Sequence, residues 1–262
     1  MKRSIQDIRS RRDAIIQALE NSDNQSLTVE NLAQLLNVSK MTIRRDLTLL
    51  DNMGMIERTH GSARLVEKPY FEGDTHNSHI ERIKYAIAKK AASYVRENMT
   101  IYMNTSSTAL QTVDFLQEVP ITVVTNNLHM SHKVMHPKST IILSGGEIHF
   151  PKAALVGELA AESLKQISAN VCIIGCSGFS PESGITTGDF RESKVNQLMV
   201  RNSHGTVIVV ADYRKIGTTS NFLVANLSDI DILITDNYCD PNIIREIEAR
   251  GVSVIQIDET LS

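Results

Sequence analysis

Between residues 38 and 50 the apolar positions fall in a helical stripe. Ile43, Leu47 and Leu50 lie at i, i+4 and i+7, one face of a helix. Ser39 precedes the run and can cap its first turn by accepting from a free backbone N–H. The other face carries Lys40, Thr42, Arg44, Arg45 and Thr48. Upstream, Ile15, Ile16 and Leu19 mark a first helix from about Ser10 to Asn21. Thr28 can cap a second, with Leu32, Ala33 and Leu36 turned inward, and Asn37-Val38 makes the turn. Two helices, a short turn and a third helix predict a helix-turn-helix. Gly54 should stop the third helix, Met55–His60 alternates like a strand, and Ala63–Leu65 can return after the Gly61-Ser62 turn. The pattern predicts a winged helix-turn-helix over residues 1–66.

The pattern then lapses. Residues 67–77 hold Pro69 and Gly73 without a helical period and predict a linker. From Ser78 to Asn98, Ile80, Ile83, Ile87, Ala91 and Tyr94 recur at helical spacing and predict one long helix opening a second domain, 78–262. Seven strand-like runs follow: Thr100–Asn104, Ile121–Thr125, Thr140–Ser144, Val171–Cys176, Thr206–Ala211, Asp231–Thr235 and Ser253–Ile257. Most are continuous Val/Ile-rich runs, the mark of parallel strands covered on both faces. Helical stretches separate them at Thr108–Leu116, Leu128–Met135, Glu158–Ile167, Glu192–Asn202 and Pro241–Arg250. The alternation predicts a mostly parallel, doubly wound α/β sheet.

In such a sheet ligands bind outside the carboxyl ends of the strands. Polar residues and glycines gather at those ends: Asn104-Thr105-Ser106-Ser107-Thr108, Thr125-Asn126-Asn127, Gly145-Gly146, Gly175 with Ser177 and Gly178, and Asp212-Tyr213-Arg214-Lys215. Each alone has an ordinary explanation as a helix cap, a turn or a solvated loop. Five at one edge predict a crevice for an anionic ligand, with the 104–108 segment and the cations after Asp212 as its anion-holding parts.

Composition refines this picture. The net charge of −3 hides a division: residues 1–65 carry ten Lys/Arg against eight Asp/Glu, and the remainder seventeen against twenty-two. The basic residues cluster at Arg9-Arg11-Arg12 and at Lys40-Arg44-Arg45, which matters more for DNA than the total. Three cysteines, no apolar run long enough to span a bilayer and a charged start predict a cytoplasmic protein. Cys172 and Cys176 lack further ligands nearby and read as packing thiols. His129, His132 and His136 sit at i, i+3 and i+7 of an expected helix, but no acid or thiol joins them, so no metal and no cofactor is expected.

A small helix with one apolar face and one face of cations and hydroxyls suits a DNA major groove. The predicted contacts are Ser39, Lys40, Met41, Thr42, Arg44, Arg45, Thr48, Arg58 and His60. These residues resemble the DeoR-type bacterial regulators, whose recognition segment V-S-x-x-T-I-R-R-D-L is matched by Val38, Ser39, Thr42, Ile43, Arg44, Arg45, Asp46 and Leu47. Their wing pattern R-x-H-G-G-A is matched by Arg58, His60, Gly61 and Ala63, with Ser62 replacing one glycine. The resemblance continues downstream. It implies an effector domain similar to ribose-5-phosphate isomerases and CoA-transferases that senses a phosphorylated sugar. The family's D-S-G-T-T loop corresponds to Asn104, Thr105, Ser106, Ser107 and Thr108, with an amide for the acid and Ser106 for the glycine. Its T-N pattern corresponds to Thr125 and Asn126, its D-x-S-K-F-G to Asp212, Lys215 and Gly217, and a family acid to Glu192; a lysine four residues on is Asn196 here. The expected effector contacts are Asn104, Thr105, Ser106, Ser107, Thr108, Asn126, Glu192, Asp212 and Lys215, with Gly145 and Gly175 from the neighbouring strand ends.

The leading expectation is therefore a sequence-specific transcriptional regulator, a repressor, binding double-stranded operator DNA as a homo-oligomer and modulated by a phosphorylated sugar or related metabolite. The alternative is a sugar-phosphate isomerase with an accessory DNA-binding domain, using Asp212, Glu192 and Lys215 as base, acid and charge stabiliser. A sequence-indifferent architectural protein fits the short basic patch poorly.

Overall fold

The computed structural model describes residues 11, 14–19, 21–22, 26–52, 56–59, 61–65, 78–150 and 152–258. They belong to two compact units, Met1–Arg82 and Ile83–Ser262. Residues 66–77, which include the whole of the expected linker, and Gly54, the expected helix stop, lie outside the described residues.

In the first unit, helix α1 (residues 14–19) buries Ile15 and Leu19 completely. Strand β1 (Ser26–Thr28) leads into α2 (Val29–Leu35), whose first turn is capped by the Thr28 hydroxyl accepting from the Asn31 amide at 3.1 Å. Leu32 and Ala33 face the core. Asn37 turns the chain at φ 50°, a conformation that asparagine tolerates better than most residues. Helix α3 (Lys40–Asn52) follows, and the Ser39 hydroxyl accepts from the Thr42 amide at 3.2 Å. Ile43, Leu47 and Leu50 are buried as their spacing requires. Asp46 is buried too, and its carboxylate takes the Arg11 guanidinium at 2.6 Å. That ion pair, with side chains 12% and 4% exposed, ties the first helical segment to the third helix. The wing is β2 (Ile56–Thr59) and β3 (Ser62–Leu65), antiparallel, with β1 added on the far side of β3. Strand β1, only three residues long, is absent from the sequence expectation.

The second unit is built on a seven-stranded sheet. After α4 (Ser78–Ala92) the chain forms β4 (Thr100–Met103), α5 (Ser107–Thr112) with a 3₁₀ turn over Val113–Phe115, β5 (Thr122–Thr125), a 3₁₀ turn over Leu128–His132, and β6 (Thr140–Leu143). A hairpin of β7 (Glu147–His149) and β8 (Ala154–Val156) precedes α6 (Glu158–Lys165) and β9 (Ala169–Ile174). Then come β10 (Gly178–Ser180), β11 (Gly184–Thr187), α7 (Phe190–Arg201), β12 (Ser203–Val210), β13 (Phe222–Ala225), β14 (Ile232–Asp236), α8 (Pro241–Ala249) and β15 (Ser253–Ile257). All seven expected strands form one sheet in the order β15-β14-β12-β9-β4-β5-β6, every neighbouring pair parallel.

Three expectations need correction. The long helix expected to reach Asn98 ends at Ala92; Ser93 and Tyr94 make tighter i→i−3 bonds, and Asn98 turns the chain at φ 64°. The helix expected over Leu128–Met135 is a five-residue 3₁₀ turn, because Lys133 is already extended. His136 therefore leaves that element, and among the described residues no group of three or more His, Cys, Asp or Glu could hold a metal ion. Helix α5 is also shorter than expected. Two antiparallel additions, the β7–β8 hairpin and the β10-β11-β13 sheet, are absent from the expectation altogether.

Leu47 is wholly buried in the three-helix core. Leu47→Ala is expected to lower the stability of the first unit by about 2–5 kcal/mol, checked by chemical denaturation, and to abolish DNA binding through loss of the fold.

Candidate functional site

The outer face of α3 is the first candidate surface. Arg44 and Arg45 are exposed, as are Met41, Lys40 and Thr48. Five of the expected contacts, Lys40, Thr48, Arg58, Ser39 and Thr42, are already engaged within the protein. The Lys40 ammonium lies 2.6 Å from the Glu30 carboxylate at the start of α2. Lys40 first, and Arg44 more weakly, hold that carboxylate below its ordinary range. Both partners are about half exposed, so the pair is easily exchanged for a phosphate. Thr48 donates to the Arg44 carbonyl at 2.8 Å and accepts from Arg58 of β2 at 2.8 Å. Arg58 is thus joined to the recognition helix. The Ser39 and Thr42 hydroxyls lie 2.9 Å apart at the head of α3. Arg11, grouped by its sequence neighbourhood with the basic cluster, is committed to Asp46. His60, Arg9 and Arg12 lie outside the described residues.

The second candidate lies at the carboxyl edge of the large sheet. The chain runs from β4 through β5 to β6 on one side, then returns to β9 on the other side of β4 and continues outward through β12. The reversal falls between β4 and β9, which is where a sheet of this kind is expected to offer a ligand crevice. The segments named from sequence follow β12, β9, β4, β5 and β6, five consecutive strands of the sheet, so all reach the same edge. Their individual roles differ from the expectation.

Asn104 is buried and closes the base of the crevice. Its Nδ2 donates to the Gly175 carbonyl at 2.9 Å, and its Oδ1 accepts from the Gly175 amide at 3.0 Å and the Ser106 amide at 3.2 Å. Its amide is thus engaged by the protein as a clasp on the Gly175 loop. Ser106 caps α5 by accepting from the Ala109 amide at 3.3 Å. A Cβ on Gly175 would meet the Ser106 Oγ at 2.1 Å, so only glycine lets the two loops approach. Thr108 is buried beneath them. Thr105 points the other way and donates to Glu192 at 2.9 Å. Ser107 starts α5, whose six residues make a short anion-holding helix at most.

Glu192 is buried in the first turn of α7 and receives a second partner, Lys152, at 2.9 Å. Lys152, half exposed, sits on the connection between β7 and β8. That hairpin is held to the end of β5 by the Leu155 amide on the Asn126 carbonyl at 2.7 Å and the Leu128 amide on the Ala153 carbonyl at 3.2 Å. His149 of the same hairpin reaches Asp189, the cap of α7, at 2.7 Å. Lys152 was missed from sequence because its partner is forty residues away. Asn126, wholly buried, donates to the Leu155 carbonyl at 3.3 Å, while its Oδ1 meets no partner among the described residues. The Oδ1 of Asn196, one turn after Glu192, is in the same state. Gly145 and Gly146 pass the neighbouring strand end with φ 70° and 98°.

After β12, Asp212 is buried and its carboxylate is held by Arg214 through two bonds of 2.7 and 3.0 Å. Burial alone would raise this carboxyl; the Arg214 guanidinium, helped by Lys215, outweighs it and keeps it below the ordinary range. Lys215 is fixed by its backbone: its carbonyl accepts from the Phe179 amide at 2.9 Å and its amide donates to the Asp212 carbonyl at 2.9 Å. Its ammonium makes no salt bridge with a described residue. Cys176 lies close enough to feel Lys215 and Asp212, but burial dominates and pushes the thiol up to about 12, so it is neutral.

The DeoR-like helix-turn-helix domain matches residues 11–69, and the DeoR C terminal sensor domain matches residues 80–237. The chain belongs to the DeoR family. This DeoR-family chain is 32% identical to the HTH-type transcriptional regulator GolR of Listeria innocua over 248 residues, 93% of this chain and 96% of that one. It is 28% identical to the glycerol-3-phosphate regulon repressor of Escherichia coli over 217 residues, 80% of this chain and 84% of that one. Ribose 5-phosphate isomerase A from Neisseria gonorrhoeae is similar in structure over 51% of this chain and 52% of its own, with a TM-score of 0.38 and 17% identity. The DeoR-family protein is a transcriptional regulator with a DNA-binding domain and a sensor domain. Among its described residues no helix is long and apolar enough to cross a membrane.

The clasp at the switch point is testable. Asn104→Ala leaves the Gly175 amide and carbonyl without that partner inside the sheet edge, an expected loss on the order of 2–4 kcal/mol. Denaturation of the sensor domain, compared with Ser107→Ala as a control, reads it.

Proposed function

We propose that this chain is a cytoplasmic repressor that binds operator DNA as a homo-oligomer and is released or retained by a phosphorylated sugar or related polyol phosphate. Residues 1–66 bind DNA, 67–77 link, and 78–262 bind the effector and other copies of the chain. The observation that carries the sensor half is the unsatisfied chemistry of the crevice. Lys215 is held in place by its backbone, and its ammonium, near enough to help hold Asp212 ionised, makes no salt bridge with a described residue; Asn126 offers a buried acceptor with no donor among the described residues. A phosphate fits the first and a hydroxyl the second. Lys152 and Glu192 supply an exchangeable cation and a hydroxyl acceptor on the α7 side. The name of the Escherichia coli relative, a glycerol-3-phosphate regulon repressor, supports an effector of this class.

On the DNA side Arg44 and Arg45 carry affinity, with Ser39, Lys40, Met41, Thr42, Thr48, Arg58 and His60 around them. A bidentate arginine–guanine contact is worth about 1–3 kcal/mol of discrimination, and a phosphate contact acts through counterion release. Two copies place their recognition helices on half-sites about 34–36 Å apart, one turn of the duplex.

The isomerase alternative asks Asp212 to act as a general base. Its two oxygens already hold Arg214 in two bonds and its carboxyl is acidified, which makes it a poor proton acceptor.

Operator affinity measured by electrophoretic shift, with and without a panel of sugar phosphates, tests the proposal. Arg44→Ala and Arg45→Ala should each weaken binding by about tenfold or more without changing the melting temperature. Lys215→Ala should bind operator like wild type and lose the response to the metabolite. Wild-type behaviour in all three variants would reject both halves. A separate assay follows ketose formation from ribose 5-phosphate and hexose phosphates; turnover above about one per second, an ordinary enzyme rate, would instead favour the isomerase reading.

A further inference from the structure

An exposed methionine stands in the middle of the α3 outer face. Met41 is 61% exposed, although its helix has a complete buried stripe to receive apolar side chains. At about 100° per residue, the buried positions Ile43, Asp46, Leu47 and Leu50 centre on one side of α3, and Met41 falls almost opposite that centre. Arg45, four residues on, lies beside it on the same strip. Lys40 and Arg44 lie on the adjoining strip, turned toward Glu30 of α2. Thr48 flanks the other end of the face and is occupied by Arg58. The residue that projects farthest from the core, near the amino end of the helix, is therefore apolar and has cations or hydroxyls on every side.

An apolar side chain at such a place gains nothing from phosphates. What the major groove offers it is the C5-methyl group of thymine, the one apolar feature on the base edges. Methionine is unbranched and polarisable and reaches such a methyl without demanding an angle. We propose that Met41 reads a thymine methyl in each half-site, with Arg45 as the base-edge arginine next to it and Arg44, beside Lys40, as the one that meets the phosphate backbone. This rests on the proposed DNA-binding role of α3 and names what that helix recognises.

The test begins with duplexes selected from a random pool by the full-length protein. Each thymine in a selected half-site is then replaced in turn by deoxyuridine, which removes only the methyl. Wild type should lose about fourfold in affinity at one thymine per half-site, the burial of one methyl group, and none elsewhere. Met41→Ala should bind the thymine and uracil duplexes equally at that position, and Met41→Leu should keep the difference. Each comparison is made within one protein, so a change in its folding cancels. Equal wild-type affinity for every thymine and uracil duplex, a persistent difference in Met41→Ala, or selected half-sites without thymine would each overturn the inference. Failure to select any preferred sequence would instead overturn the sequence-specific DNA-binding reading beneath it.

Discussion

The hydrogen bonds between the Asn104 side-chain amide and both main-chain groups of Gly175 hold the sensor domain's crevice in place. They sit where the strand order of the sheet reverses, between β4 and β9. Loops leaving neighbouring strands at such a point part company, and the polar backbone exposed between them must find partners. One asparagine satisfies both groups of Gly175 and also orders the Ser106 amide. Ser106 can then cap α5 while its hydroxyl lies where a Cβ on residue 175 would fall. With 104 and 106 facing inward, 105 faces outward, and Thr105 reaches Glu192. An aspartate at 104 could accept the Gly175 amide but could not donate to its carbonyl. The amide is therefore matched to its partner here.

The buried carboxylates around this point are in different states. Asp212 is matched on both oxygens by Arg214, a rigid fork that leaves it little freedom. Glu192 is held by a threonine hydroxyl and by the half-exposed Lys152, both able to turn toward another acceptor. Asp236, at the end of β14, is pushed up to about 6 by burial and by the charge of Asp212, against the pull of the Tyr213 and Tyr238 amides it accepts. It orders the loop that carries Lys215. Asp212 is thus rigidly held, while Lys152 is half exposed and the Lys215 ammonium is in no salt bridge with a described residue. That division suits recognition of an anion better than proton transfer, which needs a base with an available lone pair.

Much of this was legible in the chain because burial writes a strong pattern. Ile43, Leu47 and Leu50 announced the orientation of α3, and the Val/Ile runs announced seven parallel strands. What escaped detection was short or non-local. Strands of three or four residues such as Ser26–Thr28 and Gly178–Ser180 mix glycine and hydroxyl residues and carry too little periodicity to separate from turns. The Lys152–Glu192 pair spans forty residues, and Arg11–Asp46 spans thirty-five. Neither spacing leaves a mark in the sequence. Asn104 was legible as polar, but its clasp on Gly175 was not, since composition cannot say which backbone groups a side-chain amide meets. The helix expected over Leu128–Met135 failed for a simpler reason: the turn there is 3₁₀ and stops at His132, which a short apolar spacing cannot reveal.

The two functional faces also differ in what determines them. On α3 the buried stripe and the Arg11–Asp46 pair fix the helix from behind, so the outer face is free to vary without loss of fold. At the carboxyl edge of the sheet, by contrast, the candidate residues Asn104 and Gly175 also hold that edge together. A change at Asn104 or Gly175 therefore alters the scaffold before it alters affinity. Regulation requires a metabolite to bind the operator-competent and incompetent arrangements unequally, and the size of the effect is limited by that difference alone. Groups that stay saturated in both arrangements contribute nothing to it. On the proposed reading, the difference comes from contacts that a ligand can make or displace, and Lys152, Glu192 and Lys215 are the candidates for them.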